Sequence, residues 1–174
     1  DEDKVNYETY RRILARGNKL INKRSLIEDM KSIKNKVEQE NIKLAHVYDG
    51  VAMLRFLMWI DVQDKSKLNE YDVAQKINEF RLSYKAKDLS FGSIVAYNSN
   101  SAIIHYAPTK ENSARLDNKG ILLLDTGGQY DEGTTDITRT IALGPVNDSI
   151  KKYFTIVLKS MLNLSSLKFI KGLS

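Results

Sequence analysis

The sequence predicts an α+β fold, and three patterns carry that prediction. Apolar residues follow three-and-four spacing through the first half, short β-favouring runs bounded by turn residues follow Ser90, and an apolar helical stripe closes the chain. At 174 residues and 19.8 kDa, the chain is long enough to bury a real core as one domain.

Taken in order, residues 1–25 mix tyrosine, lysine and arginine without a clear period. They read as a lead-in or a linker from a preceding domain, with the folded body expected over 26–174. Ser25 with Glu28 three residues on has the spacing of a reciprocal capping box. A helical pattern starts at Ile33, and Leu44, Val47, Tyr48, Val51, Leu54 and Met58 have the spacing of one buried face. Around Trp59 and Ile60 the pattern stops, and 61–67 reads as a polar loop. Asn69 with Asp72 caps a second helix running to about Arg81, with Val73, Ile77 and Phe80 on its apolar side.

After Ser90 the residue types change. Residues 93–97 and 102–106 favour strands and are separated by the turn-rich Asn98-Ser99-Asn100-Ser101. Residues 109–118 read as a surface loop. The run Ile121-Leu122-Leu123-Leu124 is too short for a helix and reads as a buried strand, and 134–143, rich in threonine and isoleucine, reads as another. Asn147 caps a closing helix with an apolar stripe of Ile150, Tyr153, Phe154, Val157, Leu158 and Met161.

Composition excludes several classes of function. With no cysteine there are no disulfides and no thiolate metal sites, so a metal must be held by oxygen or imidazole; a reducing cytoplasm suits this composition. The net charge of +5 is spread along helical segments and interleaved with acids, as at Lys31, Lys34, Lys36, Glu38 and Glu40. No basic cluster with interleaved aromatics stands out, so nucleic acid is not expected as a partner. No apolar run reaches membrane-spanning length, and the opening residues are too charged for a secretory signal, so no membrane partner is expected.

The informative stretch runs from Leu124 to Thr140. Two predicted strands flank Gly127, Gly128 and Gly133, which implies a bent hairpin. A turn between Tyr130 and Asp131 would set Asp125 opposite Asp136, with Cβ atoms roughly 4.5 to 5.5 Å apart and like charges repelling. A shared proton, a nearby arginine or a divalent cation could each relieve that repulsion. Aspartates near turns are also common as solvated turn formers, so both readings stand on spacing alone. The apolar run into Asp125 favours the site reading, because it delivers a carboxylate to the end of a buried strand.

The wording Asp125-Thr-Gly-Gly-Gln-Tyr followed by Gly133-Thr-Thr-Asp136-Ile-Thr-Arg-Thr resembles the metal-binding signature of aminopeptidase P. That family is a branch of the pita-bread group, with the methionine aminopeptidases, prolidases and creatinase. Ile33-Lys34-Asn35 with Glu38, Ala45-His46, Glu79-Phe80-Arg81, Ser90-Phe91 and 102–108 around His105 agree in order, so the resemblance runs from Lys34 to Gly172.

The resemblance implies the first half of a pita-bread fold, with long helices packed on a curved, mostly antiparallel sheet. It implies release of the N-terminal residue from peptides with proline second. Asp125 would chelate one of two divalent ions and Asp136 would bridge both; manganese is the usual metal, with zinc or cobalt as alternatives. The ion pair would hold a hydroxide that attacks the scissile carbonyl. His105 would lie beside the metals and act on the substrate or the tetrahedral intermediate. The family site has five ligands, and the other histidine and two glutamates come from a downstream half. These residues alone are therefore expected to be inactive, with that second half as a required partner; 169–172 resembles the point where the first half ends. A homodimer is among the assemblies the resemblance implies.

His46 reads as structural, and Arg139 is expected on the other face of its strand in a structural salt bridge. Two other readings are a non-catalytic pita-bread module that binds peptides or serves as a scaffold, and a prolidase or methionine aminopeptidase. The first would normally have lost metal ligands, and the second fits Thr134-Thr-Asp-Ile-Thr-Arg-Thr140 less well.

Overall fold

Apolar periodicity and capping chemistry set the helices. A computed structural model of the chain describes residues 4–170, so Lys171 and Gly172 of the closing segment lie outside the described residues. By contacts the chain divides into two units, Asp1–Glu40 and Asn41–Ser174. In the first, Asn6 caps α1 (Tyr7–Ala15) by accepting from the Thr9 amide. Ser25 precedes α2 (Leu26–Ser32) but makes no capping bond, and Glu28 pairs with Lys4 instead. The reciprocal box forms ten residues further on. Asn35 N–H donates to Glu38 Oε2 (2.7 Å) and Glu38 N–H to Asn35 Oδ1 (2.9 Å), at the head of α3 (Lys36–Asp61).

In the second unit α3 buries a different face from the one its periodicity predicts. Ala45, Asp49, Ala52, Met53, Phe56 and Ile60 are buried, while Leu44, Val47, Leu54 and Met58 are exposed. The helix is apolar on two sides, and the small residues Ala45 and Ala52 form the side along which it packs. By contrast α4 (Glu70–Leu82) follows its pattern. Asn69 and Asp72 complete the capping box, Val73 and Ile77 are fully buried, and Phe80 packs against the core.

The remaining chain builds two small antiparallel ladders. Strands β2 (Ile94–Tyr97), β3 (Ile121–Thr126) and β5 (Ile137–Ala142) pair in the order β2-β3-β5. Short strands β1 (Asp88–Leu89) and β4 (Gly128–Gln129) pair with each other. Leu122 and Leu124 point from β3 onto Phe56, Ile60, Val73 and Ile77, which is the core of this unit. Residues 102–106 are not a strand: a 3₁₀ turn, Asn98–Ala102, leads into a tight turn at His105. The cluster Asn98-Ser-Asn-Ser competes for backbone hydrogen bonds and ends the strand at Tyr97.

Asn147 caps α5 (Asp148–Ser165) through the Ile150 amide, as predicted. None of its residues is buried; Tyr153, Phe154, Val157, Leu158 and Met161 all stay exposed. Among the described residues no helix is long and apolar enough to cross a membrane.

Candidate functional site

The β3–β5 ribbon carries both candidate metal ligands, in a register that differs from the sequence expectation. Tyr130 and Gly133 bond each other in both directions (2.9 and 3.3 Å), so the turn is Asp131-Glu132. Asp125 therefore faces Thr138, and Asp136 lies two residues before that partner, where the chain enters β5. Burial of Tyr130 decides the register: its ring packs with Ala45 and Ala86 and its hydroxyl donates to buried Asp49. A turn one residue earlier would break that anchor.

The shift keeps the two carboxylates on one face. Thr138 Oγ1 donates to Asp125 Oδ1 (2.9 Å), so residues 125 and 138 share a side, and two residues of extended chain return to it. Asp125 and Asp136 are then diagonal neighbours, at roughly 7–8 Å rather than directly opposed. Asp125 is half-buried; Asp136 is exposed and makes no hydrogen bond or ion pair with the described residues. Arg139 gives no relief of charge. Its Nη1 donates to the Thr138 carbonyl (2.7 Å), and among the described residues it forms no ion pair, contrary to expectation.

The ribbon is pinned from behind. Asp49 accepts from Arg81 Nε (2.6 Å), Arg81 Nη2 (3.0 Å) and Tyr130 Oη (2.9 Å), with all the charge fully buried. Burial alone would raise the Asp49 carboxyl pKa. The bonds and charge of Arg81, with Tyr130 and Thr135, outweigh it and hold that carboxyl below its ordinary range. Near the turn, Gly128 N–H donates to Thr135 Oγ1 (2.9 Å) and Ser90 Oγ donates to the Thr135 carbonyl (2.8 Å). Gly127 permits this closeness, because a Cβ there would stand 2.0 Å from the Thr135 oxygen.

His105 lies in the loop between β2 and β3. It is exposed and holds a left-handed backbone, φ 55°. The next residue, Tyr106, is buried, and its hydroxyl donates to Glu70 Oε2 (2.7 Å). His46 lies on exposed α3 surface with Nδ1 against the Ile42 carbonyl (2.8 Å).

Among the described residues no group of three or more His, Cys, Asp or Glu could hold a metal ion. Asp125 and Asp136 are thus two carboxylates on one face of the ribbon without a third such group beside them, and His105 is not joined to them. Their hard oxygen donors suit a divalent cation, and two of them are too few for firm binding.

Sequence reading missed Asp49 and Glu70. The available signal was an acid inside a buried stripe: Ala45, Asp49, Ala52, Phe56 on α3, and Glu70, Val73, Ile77, Arg81 on α4.

Helices backing an antiparallel sheet are here arranged as in the pita-bread fold, which the structural neighbours share. The structure is similar to an X-prolyl aminopeptidase from Caenorhabditis elegans, described as a cytosolic enzyme with a di-nuclear active site. The TM-score is 0.79 at 32% identity, over 86% of this chain and 25% of that one. It is also similar to an Xaa-Pro dipeptidase from Bacillus anthracis, with TM-score 0.77 and 27% identity, over 93% of this chain and 44% of that one. A probable Xaa-Pro aminopeptidase P from Talaromyces marneffei is 41% identical over 160 residues, 90% of this chain and 24% of the relative. The chain spans about a quarter of the length of the curated relatives it matches. The model of Metallopeptidase family M24 matches residues 40–172, and the chain belongs to that family.

Proposed function

We propose that this chain is the first half of the catalytic domain of a metal-dependent aminopeptidase that releases the N-terminal residue from peptides with proline second. The observation that carries the reading is the pair Asp125 and Asp136 on one face of the β3–β5 ribbon. No arginine pairs with either carboxylate among the described residues, and two acceptor-only side chains on one face suit a divalent cation. The likeness to aminopeptidase P relatives and to a di-nuclear enzyme supports two divalent ions here, with manganese as the metal we assign.

When bound, such a metal pair supplies an activated water and polarises the scissile carbonyl. The chain's own residues do the rest of this half's work. Asp125, steadied by Thr138, and the free Asp136 hold the cations. His105, on its exposed turn, contacts the substrate and donates to the oxygen that gains charge at the attacked carbonyl. The remaining ligands come from a second half of the catalytic domain. The exposed apolar faces of α3 (Leu44, Val47, Leu54, Met58) and α5 support a requirement for that partner. The reading extends to a cytoplasmic protein, as the nematode relative is described to be; a homodimer is part of the same proposal.

The test is release of the first residue from a peptide with proline second, by the protein expressed from the natural reading frame through both halves. Mn²⁺-dependent release that disappears in Asp136→Ala is expected. A folded, metal-loaded protein that releases nothing would overturn the reading in favour of a peptide-binding module.

A further inference from the structure

Glu70 is fully buried, is the first residue of α4, and belongs to no part of the site described above. Its carboxylate is surrounded by donors from one segment, the connection from β2 to β3. Oε1 accepts from Tyr97 N–H (2.6 Å) and Asn100 Nδ2 (3.0 Å); Oε2 accepts from Tyr106 Oη (2.7 Å) and Ala114 N–H (2.7 Å). The Glu70 amide in turn donates to the Ala114 carbonyl (3.1 Å). One buried anion thus pins this connection at Tyr97, where it leaves the sheet, at Asn100 and Tyr106, and at Ala114.

His105 stands in the middle of that segment. Its imidazole makes no hydrogen bond with the described residues, and its backbone is in the left-handed region, so where the ring projects depends on how this turn of the chain is held. The nearest anchor is the adjacent Tyr106, whose hydroxyl also accepts from Asn100 Nδ2 (3.1 Å). Burial and the bond to Glu70 push that hydroxyl's pKa up to about 12, so it stays a donor at any working pH. We propose that Glu70 is a positioning residue for His105, acting through the Tyr106 hydroxyl and Asn100 to fix where the imidazole meets the substrate. The proposal rests on the assignment of His105 to the site.

Charge at residue 70 is required by the pattern of donors. A carboxylate offers acceptors only, and both of its oxygens receive a backbone N–H. A glutamine, whichever way its amide turns, sets an NH₂ against one of those N–H groups and frees one end of the segment. Tyr106→Phe is gentler: it removes only the anchor beside His105 and leaves the ring in place.

The experiment uses the protein from the full reading frame, as wild type, Glu70→Gln and Tyr106→Phe. Imidazole ¹H–¹⁵N spectra are recorded without metal, since Mn²⁺ would broaden nearby signals. The His105 signal is assigned by its loss in His105→Gln. Kinetics follow with Mn²⁺ on a peptide with proline second. In both variants the His105 signal should move while that of His46 does not, and kcat should fall about tenfold to a hundredfold with KM little changed, the scale of a small misplacement at a reacting centre. Folded variants whose His105 signal and kcat match wild type would overturn the positioning role, even where wild type is an active peptidase. A wild type that releases nothing, but whose His105 signal moves in both variants, would retire the peptidase reading and leave the positioning of His105 by Glu70 standing.

Discussion

Asp49→Asn is the substitution with the largest expected effect on folding. Arg81 and Asp49 form a two-pronged pair with both side chains at 0% exposure, and Arg81 Nη1 is already without a partner among the described residues. Asparagine keeps the volume but removes the charge, and whichever way its amide turns, it sets an NH₂ against a guanidinium N–H, Nε (with the Tyr130 hydroxyl) on one side or Nη2 on the other. Arg81 is then an uncompensated buried cation. Removing one member of such a pair costs about 3–5 kcal/mol. For a domain of this size, with a shift of about 2–4 °C per kcal/mol, Tm should fall by roughly 6–20 °C. The assay is thermal unfolding followed by circular dichroism at neutral pH. The pH dependence has a fixed sign. The Asp49 carboxyl titrates below its ordinary range when folded, so the pair's contribution is complete above the unfolded value, about pH 4, and is lost as pH falls through the folded one. The gap between wild type and variant should therefore be full at neutral pH and shrink in acid. A variant within a degree or two of wild type at neutral pH would refute the reasoning. So would a gap that is unchanged in acid.

Thr138→Val removes the bond that steadies Asp125 and should weaken Mn²⁺ binding about 10- to 100-fold in calorimetric titration of the metal-free full-length protein, with Tm little changed. Gly127→Ala would drive a Cβ to 2.0 Å from the Thr135 carbonyl and 2.3 Å from Ser90 Oγ. Because the ribbon must open to admit it, thermal unfolding should register a loss of about 1–3 kcal/mol. Gly133→Ala is the control, since its Cβ would meet nothing nearer than 3.5 Å, and stability should stay within about 0.5 kcal/mol of wild type.

Elements whose signals are local were legible in the sequence. Asn69 with Asp72 and Asn147 each cap the helix they announce, and the apolar run from Ile121 could only be a buried strand. What failed depended on tertiary choices. The α3 stripe of Leu44, Val47, Leu54 and Met58 is a good apolar face, but small side chains at Ala45 and Ala52 let the opposite face pack. Ser25 and Glu28 have capping-box spacing, yet Lys4 takes the glutamate. Asp125 and Asp136 were identifiable as a pair, while their register was not. A hairpin of this length admits turns one residue apart, and the difference is settled by Tyr130 reaching Asp49, 81 positions earlier in the chain.

The two buried carboxylates and the two proposed ligand carboxylates differ in what surrounds them. Asp49 and Glu70 are fully buried and each is saturated with donors, whereas Asp136 is exposed with no partner among the described residues and Asp125 has only Thr138. Burying an anion is tolerable only with such saturation, and saturation fixes every donor that supplies it. Asp49 fixes the tip of the ribbon through Tyr130; Glu70 fixes the loop that bears His105. The backbone that carries the proposed site groups is thus held from elsewhere, only Asp125 has a steadying bond of its own, from Thr138, and the remaining oxygen and nitrogen atoms are left for ligands. Their rigidity comes from helices α3 and α4, whose anchors lie within this chain. Asp136→Ala should then remove metal affinity without lowering Tm, the reverse of the pattern expected for Asp49→Asn.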